Sequence, residues 1–275
     1  MQEADGQRDP RMQMLRELQT EAGRRKHARF TVEEAEMVRR AMDLGAAVET
    51  IIVADAFART AEGQHLCDKA RSSGLDVCSA SPGLIGKMLG AKPIPDCAAI
   101  VRQKLVALTS ILQKPRPLLQ MVEHCESADN LGMLLRSTDA AGTDGVILSA
   151  DTTDPFSRRA VRGSRGAVFT IPLCIAPDTV AAFDTARRAK VRIVATSASA
   201  TTFYSEVDYT GPTLIVVGNE HTGLSRAARE SADIVVRIPM LGRIHSLNIA
   251  VAASIMLFEA TRQRSQNQRT QGAGH

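Results

Sequence analysis

Four stretches of this chain carry side chains whose types and spacing suit chemistry. The first is Asn130-Leu-Gly-Met-Leu-Leu-Arg136. Asn130 is placed to cap a helix, Asp129 suits that end through the macrodipole, and Gly132 lets another group approach the first turn. Arg136 then falls beside Gly132 on an otherwise apolar helix. The second is Leu214-Ile-Val-Val-Gly218-Asn-Glu220-His-Thr-Gly223, an apolar strand that ends in small and polar residues. Ligands of open parallel sheets sit beyond such strand ends, and Glu220 there is costly unless it is paired. The third runs from Ile238-Pro-Met240 through Gly242 to Ser246-Leu247-Asn248, where Ser246 is expected to cap a final helix beside free backbone N–H groups. The fourth, Ser157 to Gly166, holds Arg158, Arg159, Arg162 and Arg165 with no acid, a local patch suited to phosphates. Each has a purely structural alternative: a capped helix with one arginine in solvent, a polar turn, a plain cap with Asn248 at the surface, and a solvated basic face.

The elements that must position these residues alternate. Residues 1–29 are polar and carry Arg24, Arg25, Lys26, His27 and Arg29, and read as a flexible basic arm. Val32, Ala35, Val38, Ala41 and Met42 recur at helical spacing, and Gly45 closes that helix. Val48–Ala54 reads as a strand, residues 61–72 as a polar helix and Leu75–Ser79 as a second strand. Residues 30–112 are thus expected to form a small α/β domain. Two prolines and two cations at 113–117 mark a linker. Beyond it, strands are expected at Leu118–Val122, Gly145–Ser149, Val168–Leu173, Arg192–Ala195, Thr213–Val217 and Ile234–Ile238. With helices between most of them, they predict a parallel sheet covered on both faces over residues 118–264. A largely buried helix from Ser246 to about Arg264 closes the domain, and 265–275 reads as a disordered tail.

Composition narrows the function. The 34 basic and 30 acidic side chains leave a net charge of +4, which permits a nucleic-acid partner without demanding one. Seven Phe, two Tyr and no Trp argue against a platform that stacks many bases. Five cysteines without a C-x-x-C, and six scattered histidines, suggest neither a disulfide framework nor a metal. No apolar run reaches the roughly 18–20 residues of a membrane span, and the polar start lacks the apolar core of a secretory signal. A cytoplasmic, membrane-free setting is expected. A P-loop and a G-x-G-x-x-G loop are both absent, so an ordinary Rossmann-type cofactor loop is excluded.

In their order and with these neighbours, the first three segments resemble the three motifs of the SPOUT superfamily, and more narrowly the SpoU (TrmH-like) RNA 2′-O-ribose methyltransferases. Val32–Asp55 resembles the substrate-binding domain, related to ribosomal protein L30e, that precedes this fold in ribosomal RNA methylases. The resemblance implies a C-terminal parallel-sheet domain with a deep trefoil knot, after a small L30e-like α/β domain. It implies S-adenosylmethionine held at Thr196, Gly218, Ile238, Met240, Leu247 and Asn248, and a homodimer in which Arg136 is offered to the partner's cofactor. Arg136, Asn130, Ser246, Asn248 and Glu220 are the catalytic set it implies. A guanidinium keeps its proton, so Arg136 is expected to grip a phosphate and stabilise the developing alkoxide while Asn130, Ser246, water or a phosphate takes the proton. Arg24, Arg25, Lys26, Arg29, Arg162 and Arg165 would contact RNA. Ribosomal RNA is favoured over transfer RNA because of the N-terminal domain, and a role in antibiotic resistance fits equally well. The alternatives are a transfer-RNA methyltransferase, a noncatalytic ribosome-assembly factor on the same fold, and a small-molecule nucleotide-binding protein. His221, Arg243 and His245 depart from the family pattern and bear on substrate choice.

Overall fold

The structure, a computed structural model, describes residues 2–243 and 246–272; His245 therefore lies outside the described residues. The chain forms two units. The first comprises the chain up to Lys104 together with Asp154–Thr170, and the second comprises Leu105–Thr153 and the chain from Ile171 onward. The division thus falls before the expected 113–117 linker. The reason is that the second unit's sheet already claims the chain at Val106, whose N–H donates to the carbonyl of Leu173 at 2.8 Å.

The first unit contains β1 (Gln2–Glu3), α1 (Pro10–Glu17), α2 (Glu21–His27), β2 (Arg29–Glu33), α3 (Ala35–Asp43), β3 (Val48–Ala54), α4 (Asp55–Ala58), α5 (Ala61–Ser72), β4 (Asp76–Ala80), α6 (Pro82–Leu89) and β5 (Cys97–Arg102). Its sheet runs β1-β4-β3-β5-β2, with β5 antiparallel to both of its neighbours. Most of the expected flexible arm is helical instead, in α1 and α2. Asp9 accepts from the Arg11 N–H to start α1, Thr20 accepts from the Gly23 N–H to start α2, and Met12, Leu15 and Leu18 are wholly buried. Those three apolar residues at i, i+3 spacing are enough to anchor a helix otherwise full of polar side chains. The helix expected from Val32 starts later, because Phe30 and Val32 are taken up by antiparallel pairing with β5.

The second unit begins with α7 (Leu108–Ile111), β6 (Leu118–Val122), α8 (Ala128–Ala140) and β7 (Gly145–Ser149). The chain then returns to the first unit for α9 (Arg158–Ser164) and α10 (Ala167–Thr170). Phe156 and Phe169 pack on Phe30 there, with ring centroids 5.0 and 6.3 Å away. That burial converts the expected strand at Val168–Leu173 into a helix followed by a later strand. The second unit resumes with β8 (Leu173–Ala176), α11 (Thr179–Arg188), β9 (Arg192–Thr196), β10 (Thr202–Phe203), β11 (Thr213–Val217), α12 (Arg226–Ser231), β12 (Ile234–Arg237) and α13 (Ile249–Gly272).

The seven strands are parallel in the order β10-β12-β9-β11-β6-β7-β8. Ala182, Phe183 and Ala186 of α11 and Ala228 of α12 bury one face of this sheet. Met256, Leu257 and Ala260 of α13, with Tyr209, bury the other. Such coverage explains the near-continuous apolar runs of the strands. The tail expected to be disordered from 265 is helical to Gly272. Arg264 fastens it, donating to the carbonyls of Tyr209 and Gly211 at 2.9 and 2.6 Å and to those of Arg116 and Pro117 at 2.9 and 3.2 Å.

Candidate active site

The carboxyl ends of β9, β11 and β12 open onto one cleft of about 350 Å³. That lies within the range that takes a small-molecule ligand, in the position expected for an open parallel sheet. Thr196, Gly218, Ile238, Met240, Leu247 and Ser246 all line it, as does Glu220. The expected cofactor positions are therefore brought together, except that Asn248 is not among the lining residues. Ser197, Ser199 and Arg229, which sequence reasoning missed, also line it. The adjoining Met240–Arg243 loop carries a fully exposed Leu241.

The three motif segments are joined by amide groups. Asn248 Nδ2 donates to Asn130 Oδ1 at 2.9 Å, and Asn130 Nδ2 donates to Glu220 Oε1. The charge just beyond β11 thus has the partner it needs. This pairing corrects two expected caps. Ser127, not Asn130, caps α8, its Oγ accepting from the Asn130 N–H at 3.3 Å. Asn248, not Ser246, caps α13, its Oδ1 accepting from Ala250 N–H at 2.9 Å and Val251 N–H at 3.4 Å. Asn130 thus uses its Oδ1 and its Nδ2 to link the first motif to the third and to the second.

The loop after β11 is fastened to the end of β6 at both of its ends. Asn219, only 4% exposed, uses its Oδ1 to accept from His221 N–H at 2.8 Å and Thr222 N–H at 3.1 Å. Its Nδ2 donates to the His124 carbonyl at 3.1 Å. At the far end Glu123 accepts from both Ser225 N–H and Ser225 Oγ, at 2.8 and 2.9 Å. The sequence assigns Asn219 no task beyond its place in the second motif. The signal was a buried-type position between Gly218 and Glu220 that only an Asx turn would fill. Burial beside Glu220 pushes the Cys125 thiol up to about 12, which removes it as a thiolate nucleophile.

Arg136 is exposed on α8, outside the cleft lining, and makes no ion pair among the described residues. The cations expected to contact RNA are engaged with acids. Arg158 meets Glu33 at 2.5 Å, Arg162 meets Glu34 at 3.8 Å and Arg165 meets Glu36 at 3.3 Å. Arg25 pairs with Glu21, Lys26 with Glu17, and Arg29 with Glu49. Arg24 is no phosphate ligand at all. It is 7% exposed, with Nε 2.6 Å from Asp154 and Nη1 donating to the Leu18 carbonyl at 2.8 Å. Arg24→Ala strands the Asp154 carboxylate and is expected to cost about 3 kcal/mol, because a broken buried pair leaves an uncompensated charge. Denaturant unfolding checks this; an unchanged midpoint would show the pair to be dispensable.

Among the described residues no group of three or more His, Cys, Asp or Glu side chains could hold a metal, and no helix is long and apolar enough to cross a membrane.

Residues 117–258 match the SpoU rRNA Methylase family. The chain is 32% identical over 206 residues to a 23S rRNA (guanosine-2′-O-)-methyltransferase of Coxiella burnetii, covering 73% of this chain and 82% of that one. It is 35% identical over 175 residues to the 23S rRNA (uridine(2479)-2′-O)-methyltransferase of Streptomyces viridochromogenes, covering 62% of this chain and 61% of that relative. Several curated relatives are likewise matched over only about three-fifths of their length. Among solved structures, the SpoU methyltransferase AviRb of Streptomyces viridochromogenes in complex with AdoMet superposes with a TM-score of 0.84 at 30% identity. That match covers 94% of this chain and 98% of that one. The AdoMet-bound rRNA methyltransferase of Sinorhizobium meliloti gives 0.80 at 31% identity, covering 92% and 95%. The motif trio, the parallel sheet and these matches agree, and the chain belongs to the SpoU rRNA methylase family.

Proposed function

We propose that this protein transfers a methyl group from S-adenosylmethionine to a ribose 2′-hydroxyl of RNA, with 23S ribosomal RNA the favoured substrate. The observation that carries the reading is the amide relay Asn248–Asn130–Glu220 closing the three motif segments around the cleft. The cleft fits the cofactor chemically. Ile238, Met240 and Leu247 offer apolar contact for an adenine, Thr196 and Ser197 offer hydroxyls for a ribose, and Glu220 supplies a negative charge. Bound there, S-adenosylmethionine supplies an electrophilic methyl group on a sulfonium. The relatives named for 23S rRNA and the AdoMet-bound neighbours support this assignment.

The chain's own residues divide the work. Asn130, Asn248 and Glu220 hold the motif loops in register, and Ser246, which lines the cleft, offers a hydroxyl to pass the proton on. Arg136 keeps its proton and therefore serves as an electrostatic clamp on a phosphate and on the developing alkoxide. Because it lies outside its own cleft lining, we assign it to the cleft of a second copy. Met133 on the same face of α8, with Val251 and Phe258 seven residues apart on α13, are exposed apolar side chains that a homodimer would cover. The step from β11 across β9 to β12, and the return of α13 onto α8, support the knotted path of the family.

The first unit is the RNA-contacting part in this reading. Arg25, Lys26 and Arg162, with side chains 72, 68 and 76% exposed, are its contacts, since surface ion pairs are worth only about 0–1 kcal/mol and phosphates displace their acids. The five buried cysteines, none of them in a disulfide among the described residues, support a cytoplasmic setting.

The test offers the purified protein labelled S-adenosylmethionine with unmodified ribosomal RNA and transfer RNA, then maps 2′-O-methyl groups by primer extension at low nucleotide concentration. Label confined to 23S rRNA at one stop is the expected result. Cofactor binding without transfer to any RNA would overturn the enzyme reading in favour of a noncatalytic factor.

A further inference from the structure

A second cluster lies just outside the motif residues, where β6 and β7 end. His124 takes a left-handed backbone conformation, with φ of 57°. Its backbone N–H donates to Ser149 Oγ at 2.9 Å, and Ser149 Oγ donates to Asp151 Oδ1 at 2.5 Å. Each ring nitrogen faces a carboxylate oxygen: Nδ1 donates to Asp151 Oδ2 at 2.8 Å, and Nε2 donates to Glu126 Oε1 at 3.0 Å. A neutral imidazole has one donor and one acceptor nitrogen, so two carboxylate partners require the imidazolium. The Glu126 oxygen that takes Nε2–H also accepts from Asn219 Nδ2, at 3.3 Å, and the His124 carbonyl is the other partner of that amide. The ring therefore joins the end of β7 to the residue that folds the loop lining the cleft.

We propose that imidazolium His124 is a positioning residue of the cofactor cleft: by bridging Asp151 and Glu126 it holds Asn219, and through Asn219 the 219–225 loop, in the binding conformation. The proposal rests on the cofactor reading above. The groups facing the ring are Asp151 from the turn after β7 and Glu126 from its own loop, with uncharged Asn219 from the loop after β11 behind them. The bond to Asp151, followed by that to Glu126, holds the His124 titration above the ordinary imidazole value. The sign follows. The bridge is complete at lower pH and is lost as pH rises through the raised value, so the loop loosens on the alkaline side.

Two measurements on the full chain test this. One is hydrogen exchange of the 219–225 amides without any cofactor, corrected for intrinsic rates. The other is the calorimetric Kd for S-adenosylhomocysteine between about pH 6 and about pH 9. The comparison is wild type against His124→Asn, which suits the left-handed backbone but cannot carry charge. Glu126→Gln, which leaves that backbone untouched, is the second variant. In the wild type, loop protection and affinity are expected to fall by about threefold across this range, the size of a half-exposed ion pair. Both variants should sit at the weaker value throughout, with the pH dependence that remains being the ligand's own. Equal pH dependence in wild type and variants, in either measurement, overturns the proposal. A pH-dependent loop in a wild type that binds no S-adenosylhomocysteine keeps the anchoring but overturns both its link to the cleft and the cofactor reading.

Discussion

Arg136→Ala is expected to reduce methyl transfer to RNA by about a thousandfold, the loss of a charge-stabilising donor at a reacting oxygen. Affinity for S-adenosylmethionine should stay at the wild-type value, since Arg136 does not line the cleft of its own chain. The unfolding midpoint should also hold, within about 0.5 kcal/mol, because an exposed side chain without an ion pair has little to lose. Arg136→Lys should recover little, as a point charge does not reproduce a planar fork on a phosphate. The sharper test concerns which cleft the arginine serves. Co-expressing Arg136→Ala with a variant that cannot bind cofactor gives mixed dimers. If Arg136 acts across the interface, the mixed dimer has one complete site, and an equal mixture returns about a quarter of wild-type activity. If it acts within its own chain, no site is complete and the mixture stays inactive. A Gly218→Ala chain is the natural partner in this mixture, for reasons given below.

The second unit was legible in the sequence because each of its signals was local. Apolar β-branched runs such as Thr213–Val217 mark buried strands, and small residues after them mark a strand end open to a ligand. The helix caps were not legible, because a cap is decided by competition. Asn130 has the right chemistry to cap α8, but Asn248, 118 residues away in sequence, donates to the Oδ1 that a cap would use, and Glu220 takes the Nδ2, leaving the cap to Ser127. Asn248 takes the cap of α13 while its other arm reaches Asn130. Both exchanges are long-range, and only the fold brings their partners together.

Charge pairing is not legible in the sequence for the same reason. The stretch Ser157–Gly166 contains four arginines and no acid, and looks like a phosphate patch. In the fold Arg158, Arg162 and Arg165 face Glu33, Glu34 and Glu36, the last of them 129 residues from Arg165. Burial lifts the Glu33 carboxyl above its usual range despite Arg158 alongside, so that pair is structural. Arg162, at 3.8 Å from Glu34 and well exposed, is the member best able to exchange its acid for an RNA phosphate. Several of the cations expected to meet RNA are thus already paired, and RNA contact in the proposed reading has to come from the few that can exchange their acids. A correspondingly modest salt dependence of RNA binding is expected.

Gly218→Ala is expected to weaken cofactor binding by about a hundredfold, or about 2.7 kcal/mol. A Cβ built on Gly218 falls 2.5 Å from the Gly223 carbonyl carbon and 2.5 Å from the Leu224 nitrogen. Both are backbone atoms, so no side chain can rotate away to make room. Nor can the loop move as a body. Gly223 N–H donates to the Asn219 carbonyl at 2.8 Å, Asn219 is tied to His124, and Ser225 is tied to Glu123. A methyl group here therefore breaks this turn rather than shifting it, and the turn is the wall of the cleft nearest Glu220. Overpacking of this kind costs about 1–3 kcal/mol, and the rest of the sheet need not feel it. The variant should accordingly remain folded, with α8 and Arg136 intact, which is what makes it a suitable partner in the mixed dimer. Gly242→Ala is the control: it lies in the third motif's loop, but a Cβ there meets nothing within 4 Å. Calorimetry with S-adenosylmethionine separates the two, and equal affinity in both variants would mean that the turn after β11 does not hold the cofactor.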